Sequence, residues 1–370
     1  MGEARTGRAG TVRTLLAAGV VALGGCSDGA ELSAPGGTGS ALGSLTCSIP
    51  QSQIFNGGPG KDGIPALTDP AMVRVGGAGT DYLRNSDRVV GIELEGQVMA
   101  IPLNIFWWHE VVNLSIGDRD LAVTHCPLTG SSLAFDRSVI GGAELGVSGL
   151  LYMNNLIMYD RTTDESLWPQ MLRGARCGPR DGTELPMVPI VEATWEGWRT
   201  LHPETRVVSS NTGHRRDYTV YPYGDYDDPD NTQLLFPVPE FDTSRPPKER
   251  VLGIPAGDGG VGFPFGLLED AGRSAAIHTS VGGTDMVVFW DGLRDAAMAY
   301  EPGVDNERLT FSGGPEGIVD QETGTRWGVD GVGFEGDLAG RRLQPIAKAF
   351  ISYWFAWRAF YPNAETWRGS

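Results

Sequence analysis

Two stretches of the sequence, Arg88-Val-Val-Gly-Ile92 and Arg250-Val-Leu-Gly-Ile254, are nearly identical and lie about 160 residues apart. Further matched pairs follow them in the same order and at nearly the same separation, and chance explains such a series poorly. The pairs are Ala100-Ile-Pro102 with Gly262-Phe-Pro264, Asp120-Leu-Ala-Val123 with Asp285-Met-Val-Val288, Asp160-x-x-Thr163 with Asp320-x-x-Thr323, and Trp168 with Trp327. The sequence therefore predicts one structural unit that occurs twice.

Each copy ends in a tryptophan-rich segment, Thr194-Trp-Glu-Gly-Trp-Arg-Thr-Leu-His-Pro203 in the first and Tyr353-Trp-Phe-Ala-Trp-Arg-Ala-Phe-Tyr-Pro362 in the second. The two tryptophans of each segment are three positions apart, which places them on one face of a helix that the proline ends. Residues 88–103 and 120–136 alternate apolar and polar, as half-buried strands do. We expect a β-rich α+β fold of two duplicated, mostly-β units, each closed by a short Trp-rich helix and packed with pseudo-two-fold symmetry.

The repeat also suggests where the parts of the chain begin and end. We expect the first unit at residues 51–212 and the second, structural unit at residues 249–370. Residues 213–248, rich in Tyr, Asp and Pro, would connect the units and lie partly over the first. The Gly- and Ser-rich residues 26–50 have the composition of a flexible tether.

The first 25 residues have the pattern of a bacterial lipoprotein signal peptide. Three arginines precede an apolar stretch at residues 15–23, which is too short to span a bilayer, and Leu23-Gly24-Gly25-Cys26 then matches a lipobox. We expect cleavage before Cys26, lipid attachment to its thiol and anchoring of the chain to a membrane. The expected location is the periplasmic side of the cell envelope, with the outer membrane favoured, or the cell surface.

Charge and cysteine content narrow the possible partners. The net charge of −17 argues against nucleic acid and suits a solvated exported protein with cationic ligands such as metal ions. Once Cys26 carries lipid, Cys47, Cys126 and Cys177 remain. In an oxidising compartment at least one of these three is unpaired or ligates something; a Cys47–Cys177 bridge is one possibility, and the sequence leaves the pairing open.

The two copies differ where chemistry could take place. The first has Trp107-Trp-His-Glu110 and Thr124-His-Cys-Pro-Leu-Thr-Gly130, whereas the second has Leu267-Leu-Glu-Asp270 and Phe289-Trp-Asp-Gly-Leu-Arg294. A scaffold needs its glycines and tryptophans in both copies, but a site needs its functional groups only once. We therefore expect the site in the first unit, built from His109, Glu110, His125 and Cys126.

Three interpretations of these four residues remain open. His109, His125 and Cys126 are suitable ligands for a transition metal such as copper, zinc or iron, with Glu110 in support. Alternatively, Cys126 is a catalytic nucleophile whose pKa a nearby histidine such as His125 lowers, with Glu110 as a further catalytic residue. In the third, the thiol is a small buried apolar group and the histidines are hydrogen-bonded supports. Neighbours on a strand face opposite ways, so one residue of each adjacent pair is expected at the site.

Several motifs resemble the uncharacterised bacterial family known as domain of unknown function 3179, over residues 54–362. The motifs are Gly60-Lys-Asp-Gly-Ile-Pro65, Trp108-His-Glu110, Thr124-His-Cys-Pro-Leu-Thr-Gly130, Gly146-Val-Ser-Gly-Leu-Leu151 and Met158-Tyr-Asp-Arg161. The resemblance implies the identity of the domain but brings no established activity. Members often have Cys-Pro-Leu-Cys where this chain ends the motif with Thr129, which argues against dithiol redox chemistry here.

Two functions are compatible with the sequence. The first is an exported metal-binding protein or metal-dependent enzyme with its site in the first unit. The second is a non-catalytic envelope lipoprotein that binds a small ligand or a protein partner.

Overall fold

A computed structural model describes residues 45–369 of the chain. The expected signal peptide, Cys26 and most of the expected tether therefore lie outside the described residues. Within the described range, no helix combines the length and the apolar character needed to cross a membrane.

The described residues are β-rich, as predicted. The strands before the connecting segment are β1 (Ile54–Asn56), β2 (Leu67–Thr68), β3 (Met72–Arg74), β4 (Arg88–Leu94), β5 (Gln97–Pro102), β6 (Val111–Ile116), β7 (Arg119–Cys126), β8 (Ser131–Asp136), β9 (Leu145–Tyr152), β10 (Asn155–Asp160), β11 (Leu167–Pro169), β12 (Met187–Val188), β13 (Val191–Thr194) and β14 (Arg206–Val208). The strands after it are β15 (Arg250–Ala256), β16 (Gly259–Pro264), β17 (Ser274–Val281), β18 (Thr284–Asp291), β19 (Ala296–Tyr300), β20 (Gly303–Val304), β21 (Glu307–Arg308), β22 (Phe311–Ser312), β23 (Ile318–Asp320), β24 (Arg326–Trp327), β25 (Gly333–Glu335), β26 (Phe350–Tyr353) and β27 (Glu365–Thr366).

The helices are few and short. They are α1 (Leu103–His109), α2 (Trp195–Leu201), α3 (Phe265–Asp270) and α4 (Trp354–Phe360), with single 3₁₀ turns at Gln51–Gln53, Ser138–Ile140 and Gln170–Leu172. Helices α2 and α4 are the predicted Trp-rich helices, and each follows directly on the strand β13 or β26. His109, which was expected on a strand beside Glu110, is the last residue of helix α1.

The pairing order of four strands recurs in the two halves. In the first half the order is β13-β4-β5-β14, and in the second half it is β26-β15-β16-β27. In both, the last strand is parallel to its neighbour and the other pairs are antiparallel. The predicted pseudo-two-fold axis and the unit boundaries stay predictions.

One nine-stranded sheet joins the two halves. It continues from β15 through β26 to β8, β7, β6 and β2, and Ile351 of β26 lies opposite Ser132 of β8. The strands that carry the candidate site are thus hydrogen-bonded to the second half of the chain, which ties the site to both halves.

The Trp-rich helices explain the glycine in both copies of the opening motif. The buried rings of Trp198 and Trp357 lie directly over Gly91 and Gly253. A Cβ atom at Gly91 would come within 2.4 Å of the Trp198 ring, and one at Gly253 within 2.3 Å of the Trp357 ring. No side chain fits at either position unless the helix moves away.

A second recurring contact pairs an aspartate with a tryptophan. Asp160 accepts a hydrogen bond from Nε1 of Trp168 at 2.7 Å, and Asp320 accepts one from Nε1 of Trp327 at 2.9 Å. Both carboxylates also accept from backbone N–H groups of the turn that follows. These aspartates therefore stabilise turns.

A disulfide joins Cys47 to Cys177, which leaves Cys126 as the free cysteine among the described residues. The bond closes a span of 130 residues and attaches the start of the described chain to the first half. Closing so long a loop removes conformational freedom from the unfolded chain, which stabilises a protein by about 2–4 kcal/mol.

The contact between glycine and tryptophan can be tested in both halves. We expect Gly91→Ala and Gly253→Ala each to lower the free energy of unfolding by about 1–3 kcal/mol, because the added methyl group overlaps a buried indole ring. Gly314→Ala is the matched control, since no atom lies within 4 Å of a Cβ built there. Chemical denaturation measures all three, and equal effects at the three positions would contradict the steric explanation.

Candidate functional site

His109 uses both of its ring nitrogens in hydrogen bonds. Nδ1 lies 2.8 Å from the carbonyl oxygen of Pro65 and therefore donates, and Nε2 lies 2.8 Å from the hydroxyl of Tyr218 and therefore accepts. The side chain is fully buried, and burial lowers its pKa to about 4. His109 is a neutral support beneath the connecting segment and has no lone pair left for a metal.

Glu110 sits at a sharp reversal of the chain. It ends α1, where its N–H donates to Phe106, and its carbonyl accepts from the N–H of His125 at 2.8 Å. Its backbone has φ 54° and ψ −32°, in a region that costs a non-glycine residue about 1–3 kcal/mol. The strand expected from the sequence would instead have an extended backbone at this residue. The Glu110 carboxyl hydrogen-bonds to Tyr223, and its charge acts on the Cys126 thiol.

Cys126 is the last residue of β7, and its thiol is fully buried. Its Sγ lies 3.6 Å from the carbonyl oxygen of Asn154, to which it donates. The turn that follows brings Thr129 back to the cysteine, with its N–H on the Cys126 carbonyl oxygen at 3.3 Å. The thiol is therefore held at the end of β7 and is sealed from solvent.

His125 faces the other side of β7 and belongs to a different network. Its Nδ1 lies 2.9 Å from Oγ of Ser132, and that hydroxyl donates to the buried carboxylate of Glu192 at 2.7 Å. Glu192 in turn accepts from Arg88 at 2.9 Å. Burial, followed by the charge of Arg88, lowers the pKa of His125 to about 3. The imidazole is neutral, and it lies beside Phe106 rather than beside the thiol.

The four expected site residues thus occupy three environments. Glu110 acts electrostatically on Cys126, whereas His109 and His125 each have separate hydrogen-bond partners. In the described part of the chain, no group of three or more His, Cys, Asp or Glu side chains is placed to hold a metal ion. The predicted set of His109, His125 and Cys126 therefore finds no support as a metal site.

Burial determines the protonation of the Glu110–Cys126 centre, which we define as these two side chains. Burial raises the pKa of Glu110 to about 8, against an opposing hydrogen bond from Tyr223. Burial, followed by the nearby Glu110, raises the pKa of the Cys126 thiol to about 11. At neutral pH the centre therefore holds a carboxylic acid and a thiol, both uncharged.

The connecting segment covers this centre with tyrosines. Tyr223 faces the Glu110 carboxyl, and the buried Tyr226 donates its hydroxyl to the carbonyl oxygen of Leu128 at 3.0 Å. Neither tyrosine is among the site residues predicted from the sequence. The pattern Tyr221-x-Tyr223-x-x-Tyr226 falls in a segment with no counterpart in the repeat, and this asymmetry was the one available signal.

The protonation of Glu110 gives a prediction for stability. The folded protein keeps the proton up to about pH 8, whereas the unfolded chain loses it near the usual value of 4.5. Between these values the free energy of unfolding falls as pH rises, by up to about 1.4 kcal/mol per pH unit. Glu110→Gln cannot ionise, so we expect its stability relative to wild type to improve steadily from pH 5 to 8.

Urea denaturation across that pH range measures the effect. Glu307→Gln, at an exposed position, is the matched control and should track wild type. Parallel stability curves for wild type and Glu110→Gln would show that Glu110 does not hold a proton in the folded protein.

Comparison with known proteins places the chain in a family. The family model described as a protein of unknown function (DUF3179) matches residues 61–364, which include both halves and the Glu110–Cys126 centre. No match was found among curated proteins or among solved structures. The chain belongs to the DUF3179 family.

Proposed function

We propose that this protein is an exported, lipid-anchored enzyme in which the Glu110–Cys126 centre acts on a small molecule, with Glu110 as the general acid. One observation carries the proposal: a buried carboxyl lies on a strained, non-glycine backbone, hydrogen-bonds to Tyr223 and raises the pKa of a buried thiol. Strained backbone and buried acids both accumulate at functional sites, since each lowers stability and persists only where it is needed.

The chemistry follows from the protonation states. Because Glu110 is uncharged at neutral pH, it can donate a proton to an atom that gains negative charge during the reaction and then recover it. Tyr223 would position the carboxyl. Cys126 is a poor nucleophile while its pKa is about 11, so we assign it to packing against the ligand.

Export and anchoring are part of the same proposal. The signal pattern and Cys26 support them, as does the Cys47–Cys177 disulfide, since such bonds persist in oxidising compartments. We likewise infer that the two halves arose by duplication and that only the first retained a site. The repeated strand order and the repeated contacts of Gly91 and Gly253 with tryptophan support this inference.

The competing functions are distinguishable. A metal-dependent reaction would need a ligand group that the described residues do not contain. A non-catalytic binding protein would bind a ligand without converting it. The ligand would then stay unchanged whether or not Glu110 carries its proton. Turnover that depends on Glu110 is therefore the decisive property.

Untargeted mass spectrometry can detect that turnover without a known substrate. Purified protein is incubated with a small-molecule extract of cell envelopes, beside Glu110→Gln and the control Glu307→Gln. We expect wild type and control to consume the same compounds, Glu110→Gln to consume them at least about 100-fold more slowly, and the wild-type rate to fall above pH 8 as the acid ionises. The enzyme proposal fails if no compound is consumed, or if Glu110→Gln consumes it at the wild-type rate.

The lipid anchor has its own test. We expect the wild-type chain to incorporate radiolabelled palmitate and to sediment with membranes, because the acyl chains attach to Cys26. Cys26→Ser should be unlabelled and soluble, whereas Cys126→Ser, the control, should behave as wild type. Labelling that survives Cys26→Ser would contradict the anchor.

A further inference from the structure

Lys248 lies at the end of the connecting segment and is almost completely buried, with 2% of its side chain exposed. Its Nζ donates to the backbone carbonyl oxygens of Tyr226 at 2.9 Å, Asn231 at 3.2 Å and Gln233 at 2.9 Å. The ammonium also lies 3.6 Å from the centre of the Tyr226 ring. All three N–H donors of the ammonium are therefore used, and they tie together the backbone of residues 226–233.

The same stretch is fastened on two sides of the thiol. On one side, Tyr226 donates to Leu128, two residues after Cys126. On the other, the side chain of Asn154 exchanges two hydrogen bonds with the backbone of Phe236, at 2.7 and 2.9 Å. The carbonyl oxygen of Asn154 is the one that accepts from the Cys126 thiol. The connecting segment therefore closes directly over Cys126.

The attachments consist of side-chain contacts rather than regular structure. Between β14 and β15 the described residues contain neither strand nor helix, so no ladder of backbone hydrogen bonds joins this segment to a sheet. A segment without regular backbone hydrogen bonds to a sheet can open separately from the sheets around it.

We propose that the connecting segment is a gate and that Lys248 is its latch. While Nζ of Lys248 keeps its three carbonyl partners, the segment covers the Glu110–Cys126 centre. When these hydrogen bonds break, the segment opens as a unit and admits a small molecule. The latch is a weak one, because the ammonium is paired with uncharged carbonyl oxygens and a buried cation needs stronger compensation. Burial lowers the pKa of Lys248 to about 8, against the opposing charges of Asp227 and Asp225, in keeping with an incompletely compensated charge. The gate supplies the access that the proposed enzyme requires.

Thiol labelling tests the gate without any substrate. The chain contains four cysteines, so in a full-length Cys26→Ser protein with the Cys47–Cys177 bond intact, Cys126 is the single free thiol. We expect Lys248→Met to react with N-ethylmaleimide about 10-fold faster than its parent, equivalent to about 1.4 kcal/mol of lost closure. Lys348→Met, which removes a lysine with no hydrogen bond or ion pair among the described residues, should react at the parental rate.

Hydrogen exchange separates opening of the gate from general unfolding. We expect faster exchange in Lys248→Met at residues 213–248 only, with the sheets unchanged. Tyr226→Phe removes just the hydroxyl bond to Leu128 and gives the same test if Lys248→Met does not fold; it too should label faster. Unchanged labelling, or faster exchange throughout the chain, would overturn the gate. These outcomes do not depend on turnover, so a failed gate and a failed enzyme proposal are distinguishable.

Discussion

The reversal of the chain at Glu110 determines which polar groups meet in the first half. Residue 110 lies across from His125 in the pair formed by β6 and β7, and an extended residue there would share a face with that histidine. With φ at 54°, Glu110 leaves the extended path, and its carboxyl acts on the Cys126 thiol rather than on that histidine. This single backbone angle separates an acid–thiol centre from the network of His125, Ser132 and Glu192.

The junction of the two halves holds that geometry in place. Arg88 and Arg250 are the first residues of the equivalent strands β4 and β15, and both guanidinium groups lie near the buried Glu192, at 2.9 and 3.6 Å. Glu192 also accepts from Ser132 at the point where β8 meets β26. Removing one partner of such a buried ion pair leaves an uncompensated charge and costs about 3–5 kcal/mol. The sheet and the ion pairs of Glu192 therefore fix the positions of β7 and β8.

The sequence predicted the parts of this arrangement that depend on local periodicity. Alternation along a strand correctly placed His125 and Cys126 on opposite faces, and the spacing of Trp195 and Trp198 predicted a helix. The backbone angle of Glu110 is not encoded by its residue type, since glutamate rarely adopts positive φ, and His109 and Glu110 were expected as neighbours on a strand. The approach of Tyr226 to Leu128 spans 98 residues and follows no local pattern, so the cover over the site could not be found from the sequence.

The second half shows that the strain at Glu110 is not a requirement of the scaffold. There, α3 ends at Asp270, and the chain reaches β17 through Ala271, Gly272 and Arg273. Ala271 keeps a helical conformation, with φ −72°, and a glycine takes the positive φ of 120°. The same connection is thus made with three residues and no strained side chain. Because the first half makes it with one glutamate, at a cost that the second half avoids, the position of the carboxyl itself is the property that accounts for the difference.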